Sequence, residues 1–205
     1  MRKVIALLWI FLLFPSITWA QDKVMAPVWK VGDKWVFTQG SIEVVGVDKS
    51  GCTLSFSKDT CVIESKEFEK IVYDKSILNR TYGVKGEKRE KYTISMRRML
   101  NFPWNPGKQW NDSFSAKALV GPQKGETLNF SEAFKVIGWE DVQVQAGNFK
   151  TIKLEYNQVT PAAYIMGTAT YWYAPEVKYF VKCQYRKDYW QGVADWELVS
   201  FKLKK

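Results

Sequence analysis

The chain has 205 residues, 46% of them hydrophobic and 16% aromatic, with a formal charge of +9 and no histidine. That length supports one domain with a sizeable core. The missing histidine excludes Ser-His-Asp and Cys-His nucleophilic sites, the common zinc ligand sets and a histidine general base.

Arg2 and Lys3, the apolar run from Val4 to Phe14, and the Thr18-Trp19-Ala20 tripeptide have the three parts of a secretory signal peptide. Cleavage after Ala20 leaves a single exported domain, 21–205, in the periplasm or outside the cell. An uncleaved signal tethering the chain to the membrane is the alternative. The run is shorter than the ~20 residues a spanning helix needs. Losing Arg2 and Lys3 lowers the formal charge of +9 by two, and over residues 66–98 Lys and Arg alternate with Glu and Asp. A nucleic-acid site needs a clustered stripe instead, so no nucleic acid is expected. At most the excess charge supports peripheral membrane contact.

Trp29-Lys-Val-Gly32-Asp33-Lys-Trp35-Val-Phe37 places a turn at Gly32-Asp33 before a strand. A second strand follows over 41–48. Cys52 and Cys61 then flank what reads as a short hairpin turning at 57–60. In an oxidising compartment a disulfide between Cys52 and Cys61 is expected, with Cys183 left as a small buried residue or, in the alternative, as the bonding partner of one of them. The alternating residues 91–96 form a further strand, 82–86 a hairpin tip, and 65–71 a single helical turn. Residues 101–110 hold Pro103, Pro106, Gly107, Trp104 and Trp110. Two prolines exclude regular structure there, leaving either a lid over a cavity or an aromatic-stapled connection.

A strand over 113–120, a turn at 121–125 and alternation from Phe130 to Trp139 lead to a turn at Glu140-Asp141. The stretch 142–185 organises the rest. Apolar and polar residues alternate through Val142, Val144, Ile152, Leu154, Tyr156, Tyr171 and Tyr173, the period of strands with one buried face. Gly147 and Pro175 mark the breaks. A last strand follows over 196–203, and the tail 202–205 is expected to fray. The fold class is mainly β: one domain of about ten to twelve antiparallel strands in a curved half-barrel or barrel-like sheet.

Little of the chain suggests catalysis. Ser55 and Lys58 have a Ser-x-x-Lys spacing but fall in the hairpin, where no helix aligns them. Glu140 and Asp141 are neighbours whose side chains diverge, which excludes a convergent carboxylate pair. No phosphate loop, calcium loop or paired Cys-x-x-Cys occurs. No enzyme activity, cofactor or metal is expected. The remaining signal is aromatic: eight tryptophans follow residue 20, enough to fill a barrel interior or line an apolar cavity.

Four segments, Trp29 to Trp35, Phe102 to Trp110, Val144 to Thr151 and Tyr171 to Val177, resemble signatures of an uncharacterised family of exported bacterial β-sheet proteins. More distantly the chain is similar to the half-barrels of periplasmic lipoprotein carriers, whose curved sheet holds acyl chains. The resemblance implies an exported β-sheet domain and carries no catalytic residues. The expected function is a non-enzymatic binding or carrier protein for a lipid or other apolar ligand. Trp104, Trp110, Trp172 and Tyr173 are the candidate ligand-binding residues. The alternative is a structural or interaction protein of a cell-envelope assembly, partnered by another envelope protein.

Overall fold

A computed structural model describes residues 23–48, 51–56, 60–64, 92–94, 100–118, 124–159, 165–186 and 195–205. The expected signal peptide, helical turn at 65–71 and hairpin tip at 82–86 lie outside the described residues. Among the described residues the regular elements are all strands: β1 (Lys34–Phe37), β2 (Gly40–Asp48), β3 (Gly51–Phe56), β4 (Thr60–Glu64), β5 (Tyr92–Ile94), β6 (Gln109–Ala118), β7 (Thr127–Val144), β8 (Gly147–Val159), β9 (Ile165–Ala174), β10 (Tyr179–Tyr185) and β11 (Trp196–Lys202). They form one antiparallel sheet in the order β4-β3-β2-β1-β11-β10-β9-β8-β7-β6-β5.

The sheet is curved and open. Three strands separate β7 from β11 in this order, which at ~4.8 Å per step sets them far apart in a flat sheet. Yet Ala146 N, in the β7–β8 turn, donates to Leu198 O on β11 at 3.0 Å, and the Phe149 and Phe201 rings meet at 6.0 Å. The β7–β8 hairpin therefore bends back onto β11. Bulges help it do so, between Val136 and Gly138 on β7 and between Phe180 and Lys182 on β10, since an extra residue increases local twist. Among the described residues no ladder joins β4 to β5, so of the two expected forms the half-barrel is the one adopted.

Three expectations are corrected. Glu140-Asp141 is not a turn, because β7 runs through it as an 18-residue strand. Asp141 lies opposite Lys150, and Glu140 pairs with the Lys153 ammonium at 3.3 Å, so the facing strand balances both charges. The tail does not fray at Lys204: its N–H donates to Asp33 Oδ1 at 2.7 Å, and Leu203 packs against the core. Nor is Cys52 bonded to Cys61. Cys52 is a buried free thiol opposite Ile63, while Cys61 lies opposite Leu54. That diagonal offset sets the two backbone positions ~7–8 Å apart, beyond the roughly 4.4–6.8 Å that a disulfide spans between Cα atoms.

The β9–β10 connection shows how sequence and packing cooperate. Pro175 starts a tight turn whose last residue, Lys178, takes φ of 61°. A non-glycine residue holds that conformation only when its surroundings impose it. Here Trp35 Nε1 donates to Val177 O at 2.8 Å and Trp29 Nε1 to Lys178 O at 2.9 Å. Lys178 Nζ returns a bond to Val28 O at 2.9 Å. Trp29 and Trp35 are thus packed core residues that anchor the turn.

Candidate functional site

The segment 100–108 crosses one face of the sheet. Pro103 and Pro106 keep it out of any ladder, and its polar groups find other partners. Trp104 forms a two-way bridge with Val24, both bonds at 2.8 Å. Gly107 N donates to Val136 O, and Val136 N to Lys108 O, each at 2.8 Å. The Lys108 ammonium folds back to donate to the carbonyls of Asn101 and Pro103. The bonds fix the segment's path, and Leu100, Phe102 and Trp104 bury their side chains beneath it.

Strand alternation sets what those side chains meet. Phe134, Tyr156, Tyr171, Tyr173 and Phe180 project from β7, β8, β9 and β10 on the same face. With Trp104 and Trp110 they close a circuit of ring contacts: Trp104 to Trp110 at 6.1 Å, to Phe134 at 4.9 Å, to Tyr156 at 5.3 Å, to Tyr171 at 6.2 Å, to Phe180 at 5.1 Å, to Tyr173 at 5.6 Å and back to Trp104 at 5.3 Å. Phe102 stacks on Trp104 at 4.2 Å. Separations of roughly 4–7 Å in stacked, tilted and edge arrangements are those of a well-packed aromatic core. Burial pushes the Tyr173 phenol far above its ordinary pKa, because the charged form has no water around it.

Three of the four candidate residues, Trp104, Trp110 and Tyr173, therefore meet in one cluster, packed against each other. The fourth, Trp172, follows Tyr171 on β9 and so points to the opposite face. There it lies between Lys153 and Lys182, the residues directly opposite it on β8 and β10, each ammonium 5.3 Å from the ring centroid. Lysine stems cover the indole while their charges face its π cloud. Trp104 Nε1 and Trp172 Nε1 are both buried without a hydrogen-bond partner.

Elsewhere a cleft of about 330 Å³ opens between β10 and β11. Lys182, Gln184, Asp195 and Glu197 give it polar walls, and none of the four candidate residues lines it. Among the described residues no three histidine, cysteine or carboxylate side chains converge as metal ligands.

One row of polar residues escaped the sequence reading. Asp112, Glu132 and Gln158 stand opposite one another on β6, β7 and β8, and Glu132 and Gln158 are each 1% exposed. Their sequence signal was a glutamate in register with phenylalanines two residues either side, Phe130 and Phe134.

Comparison with solved structures bears on the fold. A protein provisionally described as exported, with a YmcC-like fold, from Bacteroides fragilis matches with a TM-score of 0.52 at 14% identity, over 88% of this chain and 100% of that one. The present fold is similar to it. A protein provisionally described as a lipoprotein, from Parabacteroides distasonis, also gives 0.52, at 18% identity over 89% of this chain and 100% of its own. At these identities the likeness is one of architecture. No family model matches the chain, and no curated relative does.

Proposed function

We propose that this protein is a non-enzymatic, exported component of the bacterial cell envelope that acts through its surface as an interaction partner. The aromatic segment carries this reading. Trp104 is 0% exposed and closes a circuit of rings over the sheet face where a half-barrel carrier holds its acyl chains. An acyl chain laid on that face displaces segment 100–108, breaking the Val24 bridge and the Gly107 and Lys108 bonds together.

The description of fold neighbours as exported or lipoprotein supports the envelope location. Exposed apolar side chains supply contact surface: Val45 and Val47 on β2, each 49% exposed, and Val28 and Val31 in the segment before β1. Isolated exposed valines are ordinary, but two on one strand favour a protein partner over a soluble ligand. The partner expected is another envelope protein.

Affinity capture of the tagged protein from envelope extract, after brief cross-linking in cells, tests this. A specific stoichiometric partner is expected, lost in a Val45→Asp, Val47→Asp double variant of unchanged melting temperature. A protein recovered alone under both cross-linked and native conditions contradicts it.

A further inference from the structure

The row of Asp112, Glu132 and Gln158 interrupts an otherwise apolar face. On one side lie Trp110, Phe134, Tyr156 and Ala169, in register across β6 to β9. On the other lie Phe114 and Phe130, stacked at 4.9 Å. Directly opposed residues hold their Cβ atoms about 4.5–5.5 Å apart, so the three polar side chains are neighbours, and Gly167 beyond Gln158 adds no side chain of its own. Tyr156 O–H donates to Glu132 Oε1 at 2.6 Å, which fixes the orientation of that carboxylate. Gln158 Oε1 is buried with no hydrogen-bond partner. Asp112, half-buried, marks the solvent side of the row.

We propose that Gln158 Oε1 and the carboxylates of Glu132 and Asp112 bind a divalent cation of the calcium class. Every donor is an oxygen, two are anionic, and the row contains no thiolate or imidazole, which is the donor chemistry of a hard cation. Two carboxylates on directly opposed residues repel, and a dication between them reverses that repulsion. Bonding from Tyr156 to Glu132 is the outer contact that holds a ligating carboxylate in place. Carboxylates able to bind through one or both oxygens, plus an amide oxygen, suit the irregular shell of calcium better than the strict octahedron of magnesium. Water completes the shell from the Asp112 side. This inference is independent of the interaction reading, since its ligands lie apart from Val45 and Val47.

Isothermal titration of chelator-treated mature protein with CaCl2 and with MgCl2 tests it, together with thermal melting and terbium luminescence excited through tryptophan and tyrosine. One saturable calcium site is expected, at least tenfold tighter than for magnesium, with a raised melting temperature and sensitised terbium emission from the neighbouring Trp110 and Tyr156. Gln158→Met, which keeps length but removes the oxygen, and Asp112→Asn, at the half-buried end, are each expected to weaken calcium at least tenfold. Wild-type protein showing no heat, no melting shift and no terbium signal overturns the proposal. So does calcium binding that either variant leaves unchanged while folded.

Discussion

Asp33 shows what one residue does for this chain. It is fully buried, and its carboxylate accepts from Lys30 N at 2.9 Å and from Lys204 N at 2.7 Å, tying the first turn to the C-terminal segment. Asp33→Ala leaves both N–H groups without their acceptor and is expected to cost about 2–3 kcal/mol in urea unfolding; a loss under ~0.5 kcal/mol contradicts this role. Cys52 lies close enough to feel the same carboxylate. Burial, and secondarily the Asp33 charge, push its thiol from 9.0 up to about 11. Below pH 9 the thiol is neutral folded or unfolded and adds no pH dependence. Between about 9 and 11 only the unfolded chain releases the proton, so stability falls as pH rises through that window. Cys52→Ala is expected to flatten the fall, measured as urea midpoints from pH 8 to 11, and parallel curves for the two proteins contradict it. A second check is alkylation of Cys52 on unfolding without reductant; recovery of a Cys52–Cys61 cross-linked peptide contradicts the register seen here.

At the scale of elements, segment 100–108 decides what the sheet face can do. Trp104→Ala removes a fully buried indole from between Phe102, Trp110 and Tyr173 and is expected to destabilise by about 3–5 kcal/mol in denaturant titration. A cost below ~1 kcal/mol would mean that the segment only rests on the sheet. The strands themselves were legible in the sequence because one-sided burial imposes a period of two, as through Ile152, Leu154 and Tyr156. The role of the segment was not, because prolines and tryptophans describe a lid and a staple equally well until their hydrogen bonds are known. Glu140-Asp141 misled for another reason. Acidic pairs favour turns locally, but the lysines that make them acceptable in a strand, Lys150 and Lys153, lie across the hairpin. Cys52 and Cys61 misled likewise: adjacent strands are predictable from spacing, whereas a two-residue stagger depends on the turn between them. The polar row was hidden because each member is unremarkable in its own strand, and only the cross-strand register assembles it.

Taken whole, the described residues form a long sheet coiled until the β7–β8 hairpin touches β11, with the rings of the aromatic circuit filling the face that segment 100–108 covers. The carrier expectation requires room on that face, whereas the proposed role as an interaction scaffold does not. The aromatic circuit and the bonds holding Trp104 favour the scaffold. Native mass spectrometry of the protein purified without detergent from the cells that make it, followed by organic extraction, distinguishes the two most directly. The account predicts a mass equal to the polypeptide, alone or with a protein partner, and no stoichiometric lipid in the extract. One lipid per chain, retained through purification and recovered by extraction, would contradict it.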